Sequence, residues 1–285
     1  MSFRMAACQM VANNNKDENL DAANRLIDEA VGMGAQMVAL PEMFNLLGTN
    51  DEILAGGESV PGPTSTFLAE KARKHKIYLH GGSFMVNVDE SKNGANGSNA
   101  EKVWNTTLIF DSDGEVISEY RKIHLFDIHI EDKVTYQESD FVEPGTEMVT
   151  CETEHGNFGL TICYDLRFPE LYRALTLAGA QVVFQPAAFA LYTGKDHWET
   201  LIRARAIENQ VYMVSPSQIG TYGNGGQCYG STMIVDPWGT VLARAPEREC
   251  VVVADIDYTS QELTRQNLPA LKHRRPDIYE GAAVV

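Results

Sequence analysis

The chain holds no run approaching the roughly 18 consecutive apolar residues that a membrane-spanning helix needs, and its start, Met1 to Met10, lacks the long apolar core of a secretory signal. A cytoplasmic location is therefore expected. Basic residues are outnumbered, with 23 Lys and Arg against 39 Asp and Glu and a formal net charge of −16. Such a surface repels phosphate backbones and anionic lipid, which argues against nucleic acid and membranes as main partners and leaves small molecules. Cysteine is sparse. Cys8, Cys151, Cys163, Cys228 and Cys250 are odd in number, widely spaced and without a Cys-x-x-Cys pair, so neither a disulfide framework nor a zinc site is indicated. The histidines (His75, His80, His124, His129, His155, His197 and His273) include no His-x-x-x-His pair and no His-Glu-x-x-His, which excludes the common metal-hydrolase patterns. There is no Gly-x-Ser-x-Gly elbow for a serine enzyme, and no repeat of fixed period. The glycine-rich stretch Thr221 to Gln227 has neither dinucleotide-binding nor P-loop spacing and reads as a flexible loop with no assigned ligand.

What is present is a chain of 285 residues, 44% hydrophobic, enough for one large domain or two small ones. Strand and helix patterns alternate along it. Phe3 to Met10 reads as a strand; the polar run Asn13 to Asp17 then caps a helix with Leu20, Ala23, Ile27 and Val31 on one face. Gln36 to Leu40 is a short strand stopped by Pro41, and Glu42 stands just beyond its carboxyl end. Thr64 is expected to cap a helix through Ala72, and Ile77 to Val86 to form a strand containing Gly81 and Gly82. Asp89 to Glu101 reads as a mobile surface loop. Val103 to Phe110 and Glu115 to Tyr120 make a hairpin, with Lys122 directly after it, and Ile123 to Met148 reads as an irregular acidic loop covering a site. Further on come strand Gln181 to Gln185, a helix from about Asp196 to Asn209, strand Val211 to Ser217, a hairpin of Tyr229 to Val235 with Thr240 to Arg244, strand Cys250 to Ile256, and a closing short helix and tail from Leu268.

The organising stretch is Phe158 to Glu170. Phe158, Leu160 and Ile162 alternate with Gly159, Thr161 and Cys163, a strand ending at a cysteine, and Pro169 opens a helix with Leu171, Ala174, Leu175 and Ala178 on its buried stripe. A cysteine in such a strand-to-helix turn is presented outward, near helix-start charge that favours thiolate. Glu42, Lys122 and Cys163 thus all stand at or just past strand carboxyl ends, where open α/β sheets gather catalytic groups. Amide acyl transfer needs a nucleophile, a proton carrier and fixed positive charge for the oxyanion, and thiol, carboxylate and ammonium cover those needs. The ammonium is expected to lower the thiol pKa.

The motifs around these residues, LPEMF at Glu42, YRKIHLFD at Lys122 and LTICYDLRFPE at Cys163, resemble those of the nitrilase superfamily of carbon-nitrogen hydrolases. The resemblance continues through HWETLIRARAIENQVY, YGSTMIVDPWG and HRRPDIY and covers nearly the whole chain. It implies an α/β four-layer αββα sandwich, a single carbon-nitrogen hydrolase domain over residues 1–285 with a tail from about 268, no cofactor, no metal, and a homodimer or multiple of dimers. By the family pattern Cys163 is the nucleophile, Glu42 the general base and acid, and Lys122 the oxyanion stabiliser beside the Tyr164 backbone amide. The family's second glutamate matches Glu138 in TYQES, and Phe189 and Thr193 are pocket walls by family position. Tyr164 and Asp165 replace the Trp and Glu that follow the cysteine in true nitrilases. YDLRFPE instead resembles the amidase branch containing omega-amidase and deaminated glutathione amidase, which implies an amidase acting through a thioester acyl-enzyme on a small carboxylate-bearing amide.

Arg167 is a candidate for that carboxylate, though it could equally pair with an internal acid and hold the turn. Competing readings are a nitrilase, an N-carbamoyl amide hydrolase or another amidase of the superfamily, a papain-like pair of Cys163 with His124 as base, and a catalytically idle binding protein on the same fold. Competent residues at all four catalytic positions argue against the last.

Overall fold

The computed structural model describes residues 2–88, 102–131, 134–223 and 225–279. Two twisted sheets lie face to face with helices on both outer sides. The first has seven strands, in the order Cys250–Asp257, Ser2–Gln9, Met37–Ala39, Tyr78–His80, Val103–Phe110 and Phe84–Asn87, with Val116–Arg121 also paired to Val103–Phe110. The second has six, in the order Val241–Arg244, Met233–Val235, Tyr212–Ser215, Val182–Phe184, Gly156–Leu160 and Thr150–Thr153. Each sheet has a parallel centre, Ser2–Gln9 with Met37–Ala39 and Tyr78–His80 in one and Gly156–Leu160 with Val182–Phe184 and Tyr212–Ser215 in the other.

The alternation of side chains along the strands creates the layers. Ala6, Cys8 and Val38 face out and pack with Ala23, Leu26, Ile27, Leu68 and Ala72 of helices Lys16–Gly32 and Pro63–His75. Met5, Ala7, Met37 and Ala39 face in and share one core with Phe158, Leu160, Val183 and Phe184. Aromatic contacts span the gap between sheets: Phe3 to Phe158 at 6.3 Å and His80 to Phe184 at 4.6 Å between ring centroids. Helices Pro169–Leu177 and Leu191–Asn209 cover the second sheet. The result is a four-layer αββα sandwich. No helix among the described residues is long and apolar enough to cross a membrane.

Several local expectations are corrected. Ile77 to Val86 is two strands, because Gly82 sits at φ +56° and a Cβ there would meet the Pro41 carbonyl at 2.1 Å. The helix expected to be capped by Thr64 begins at Pro63, and the Thr64 hydroxyl instead donates to Glu58 Oε1 at 2.8 Å. Tyr229 to Val235 breaks at Gly230 and Ser231, both at positive φ, into Gly226–Tyr229 and Met233–Val235. The glycine-rich stretch is no plain loop: Ile219–Tyr222 pairs with Gly226–Tyr229. Likewise Ile123 to Met148 contains a hairpin, Asp127–Ile130 with Val134–Gln137, and a helical turn at Glu138–Asp140. The helix expected from Asp196 starts at Leu191. Helices Asn50–Ala55 and Tyr258–Asn267 are additional to that expectation; both are short with one buried residue each, and their starts are fixed by side-chain caps, a Thr49–Glu52 capping box and Asp257 accepting from the Thr259 N–H. The expected mobile loop, 89–101, and residues 280–285 of the tail lie outside the described residues.

Candidate active site

Glu42, Lys122, Glu138 and Cys163 converge, all buried: Glu42 lies past strand Met37–Ala39 and Cys163 past Gly156–Leu160, each in a sheet's parallel centre, whereas Glu138 sits in a helical turn after the hairpin Asp127–Ile130 with Val134–Gln137. Lys122 follows strand Val116–Arg121, and its backbone is fixed when its N–H donates to the Asn105 carbonyl at 2.9 Å. Its ammonium donates to both oxygens of Glu138, each at 2.9 Å, and to Glu42 Oε1 at 3.1 Å. Glu138 is held in turn by the Phe126 N–H, which donates to Oε2 at 2.6 Å. Glu42 is oriented from three sides. Asn105 Nδ2 donates to Oε1 at 2.9 Å, the Ala188 N–H donates to Oε2 at 2.7 Å, and Gln218 Nε2 donates to the Glu42 carbonyl at 3.0 Å.

Cys163 opens a helical turn, Cys163–Arg167, three residues past the end of strand Gly156–Leu160. It sits at φ +47°, a left-handed conformation that costs an ordinary L-residue on the order of 1–3 kcal/mol and persists only where the surroundings over-determine it. Those surroundings are visible: the Cys163 N–H donates to the Pro186 carbonyl at 2.9 Å, and Gln185 Nε2 donates to the Cys163 carbonyl at 2.7 Å. Gln185 is itself fixed, its Oε1 accepting from Thr161 Oγ1 at 2.6 Å and from the Tyr172 hydroxyl. Met43, directly after Glu42, is also left-handed at φ +51°. Left-handed backbone thus occurs at Cys163 itself and at the residue next to Glu42.

The electrostatics revise one expectation. Burial pushes the Cys163 thiol well above its ordinary value, the negative charge of Glu42 and a hydrogen bond to it push the same way, and the nearby Lys122 ammonium opposes them without prevailing. The helix that was to acidify the thiol begins only at Pro169, so its start is not at the sulfur. The resting side chain is a thiol hydrogen-bonded to Glu42. Glu138 is raised by burial, with Lys122 pulling it down and Glu42 pushing it up, while Lys122 is held well above its ordinary value because its two carboxylates outweigh its burial. One ammonium thus serves two carboxylates, with the sulfur's proton on the Glu42 side.

The expected binding residues are brought together in part. The Arg167 guanidinium lies 5.3 Å from the Phe189 ring centre and 5.7 Å from that of Tyr164, and Nη1 is 3.3 Å from His197 Nδ1. Among the described residues no carboxylate pairs with it, so the internal-acid alternative finds no partner. Phe189 packs on Trp198 with centroids 5.2 Å apart. Thr193 lies in the first turn of helix Leu191–Asn209, not in a loop, and its hydroxyl turns back to the Ala190 carbonyl at 3.4 Å. His124, the rival base, is engaged elsewhere: Nδ1 is 2.7 Å from Asp165 Oδ1 and the ring stacks on Phe168 at 3.7 Å, with no hydrogen bond to Cys163.

Sequence reading missed Asn105, Gln185 and Gln218, and took Asp165 only as a mark of the branch; all four are polar residues fully buried around Glu42, Lys122 and Cys163. It also missed Tyr222 and Tyr136, from the two hairpins that wall the site. Tyr222 is close enough for the charges of Cys163 and Glu42 to add to the effect of burial in raising its hydroxyl, and Tyr136 likewise feels Glu138 and Glu42. An aromatic contact from Phe126 to Tyr136 at 5.8 Å and to Tyr164 at 5.1 Å continues that wall to the cysteine turn. Among the described residues no group of three or more His, Cys, Asp or Glu side chains is placed to hold a metal ion.

Comparison with known proteins identifies the family. The carbon-nitrogen hydrolase family profile matches residues 4–266. The chain is 41% identical over 274 residues to a deaminated glutathione amidase of Synechocystis sp. (strain PCC 6803 / GT-S), covering 95% of this chain and 98% of that one. It is 39% identical to an omega-amidase of Mus musculus, covering 98% and 97% respectively. A crystal structure from Saccharomyces cerevisiae, a member of branch 10 of the nitrilase superfamily, superposes with a TM-score of 0.83 at 33% identity, covering 96% of this chain and 97% of that one.

Proposed function

The chain belongs to the carbon-nitrogen hydrolase family, and from that premise we propose that it is a cysteine-dependent amidase which cleaves the C–N bond of a small, carboxylate-bearing linear amide. The observation that carries the reading is the single Lys122 ammonium shared between Glu42 and Glu138, with Glu42 also hydrogen-bonded to the Cys163 thiol.

In the proposed cycle Glu42 takes the thiol proton as the sulfur attacks the amide carbonyl carbon. Because the resting thiol is held up, proton transfer accompanies attack instead of preceding it. The tetrahedral oxyanion is met by the Lys122 ammonium and the Tyr164 N–H. Glu42 returns its proton to the nitrogen, the C–N bond breaks, and the amine leaves from a thioester on Cys163. Water then attacks the thioester carbonyl carbon as Glu42 takes its proton, the new C–O bond forms, the C–S bond breaks, and Glu42 returns the proton to the departing sulfur, which releases the carboxylic acid and restores the thiol. Glu42 Oε1 accepts from both Asn105 and Lys122, whereas among the N–H donors of the described residues Oε2 accepts only from Ala188, so Oε2 is the proposed proton carrier, with room for the thiol. Glu138 holds Lys122 and balances its charge.

For the substrate, Arg167 is the proposed carboxylate reader, with Tyr164, Phe189 and Thr193 around it. A guanidinium framed by aromatic faces and lacking a carboxylate partner among the described residues is suited to bidentate capture of one from a ligand. The amidase branch that YDLRFPE resembles implies 2-oxoglutaramate, 2-oxosuccinamate or the 2-oxoglutaramate amide of a deaminated tripeptide as the substrates to try, and relatives named as an omega-amidase and a deaminated glutathione amidase support that choice. The test is kcat/KM on those amides against neutral aliphatic amides and nitriles, scored by ammonia or amine release. A best substrate among the nitriles or neutral amides would overturn the substrate class. Preference for the free amide would assign omega-amidase, and preference for the tripeptide analogue would assign the other activity.

We further propose a cytoplasmic homodimer built from a single domain. Exposed Ile207 and Trp238 support the dimer; Ile207 lies against Gly239 next to Trp238, so the two form one apolar patch. Sedimentation of the protein and of Trp238→Glu would test it.

A further inference from the structure

Asp165 is fully buried, and its two oxygens accept four hydrogen bonds. Oδ2 accepts from the Ile162 N–H at 2.8 Å and from the Tyr120 hydroxyl at 2.6 Å; Oδ1 accepts from the His124 N–H at 3.1 Å and contacts His124 Nδ1 at 2.7 Å. Ile162 directly precedes the nucleophile. Tyr120 and His124 lie two residues either side of Lys122, and the Ile123 N–H donates to the Tyr120 hydroxyl at 3.3 Å. A second contact runs the same way, since the His124 ring stacks at 3.7 Å and 7° on Phe168, which follows the cysteine turn. Segment 120–124 is therefore docked on segment 162–168 through one carboxylate and one ring stack.

On the footing of the Cys163 and Lys122 roles above, we propose that Asp165 is a positioning residue that sets the distance between nucleophile and oxyanion-binding ammonium. Lys122 reaches the site on a long flexible stem whose tip is held by Glu42 and Glu138. Its root is held by the Asn105 carbonyl and, through its neighbours on both sides, by Asp165. Asparagine in place of Asp165 would offer one accepting oxygen and one donating amide. Whichever way that amide turns, one pair of donors, from Tyr120 and Ile162 or from His124, would face N–H groups and the clamp would open on that side.

The test compares Asp165→Asn, Tyr120→Phe and their double variant with the parent, using the amide of highest kcat/KM from the comparison above. Asp165→Asn should lower kcat on the order of 10²-fold with KM within about threefold, since misplacing a catalytic group by about 1 Å has that scale of effect. Tyr120→Phe, which keeps the ring and removes one donor, should lower kcat about threefold to tenfold, and the double variant should be no worse than Asp165→Asn because the two changes break the same link. Were Asp165 merely structural, its replacement would lower the melting temperature and leave kcat per folded molecule unchanged. Folded Asp165→Asn with parental kcat overturns the proposal; if that variant does not fold, parental kcat in Tyr120→Phe overturns it instead. Cys163→Ala in the same assay separates the levels: if it is active, the nucleophile assignment beneath fails, whereas an inactive Cys163→Ala beside a fully active Asp165→Asn removes Asp165 alone.

Discussion

Lys122 touches Glu42 through one oxygen, Oε1 at 3.1 Å, while it grips Glu138 through both at 2.9 Å. The asymmetry separates the two carboxylates in role. In the proposed cycle Glu138 anchors the ammonium, and Glu42 keeps an oxygen for the proton of Cys163. Lys122→Arg keeps the charge but replaces a compact ammonium with a wide planar fork that cannot sit in the same space, so kcat should fall by at least about two orders of magnitude. Steady-state kinetics on the best amide substrate check this, and near-parental kcat would make Lys122 a general electrostatic residue.

The two glutamates should also differ in kind. Glu42→Gln removes the proton carrier and should cost roughly 10²–10⁴-fold in kcat. Glu138→Gln leaves the carrier in place but loosens and under-neutralises a buried ammonium, so it should cost less in kcat and more in stability, on the order of 3–5 kcal/mol for a buried ion left short of its partner. Kinetics and chemical denaturation of both variants give the comparison; the reverse order in kcat would exchange the proposed roles.

These roles were legible to different depths. Glu42, Lys122 and Cys163 are legible because each stands at or just past the end of a strand pattern, and their motifs carry the family and the four-layer fold. Glu138 was legible through the family alone, since its hairpin, Asp127–Ile130 with Val134–Gln137, is too polar to show a period. Asn105, Gln185 and Gln218 left no signal: a polar residue among strand residues looks like the solvent side of an alternating pattern, and here both faces are buried. The left-handed Cys163 is invisible for another reason. Its conformation is imposed by Pro186 and Gln185, more than 20 residues further along the chain, and so is the thiol's resting protonation, set by burial that the sequence pattern did not disclose.

That protonation yields a pH prediction. With the thiol held above its ordinary value, alkylation of Cys163 by iodoacetamide should be slow near neutral pH and keep rising into the alkaline range past the ordinary thiol value of 9.0. Lys122→Met should be slower again at each pH, because the ammonium is the influence that lowers the thiol. Peptide-level mass spectrometry reads the rate at this cysteine alone. A plateau reached below pH 7 in the parent would mean a preformed thiolate.

Acid stability should carry the mark of His80. Its ring is wholly buried against Phe184, Nδ1 accepts from the Gly82 N–H at 3.1 Å, and burial drops its pKa from 6.5 to about 3. The folded state therefore holds His80 neutral while the unfolded chain takes up a proton below pH 6.5. The stability this contributes is complete above that value and is lost as pH falls toward about 3, at up to about 1.4 kcal/mol per pH unit. His80→Leu should lower overall stability, because the Gly82 N–H loses its acceptor, yet flatten the slope between pH 6 and pH 4 on the scale of about one proton. Urea denaturation across that window checks it, and an unchanged slope would place the acid sensitivity elsewhere.

The thioester on Cys163 is the claim on which all the rest depends. Enzyme mixed with its best amide substrate and quenched in acid within the first turnover should carry the mass of the acyl group, without the amine, on the peptide containing Cys163. Cys163→Ala, folded and treated identically, should carry no added mass and release no ammonia or amine. An unmodified Cys163 peptide during full turnover, or normal turnover by Cys163→Ala, would contradict the account.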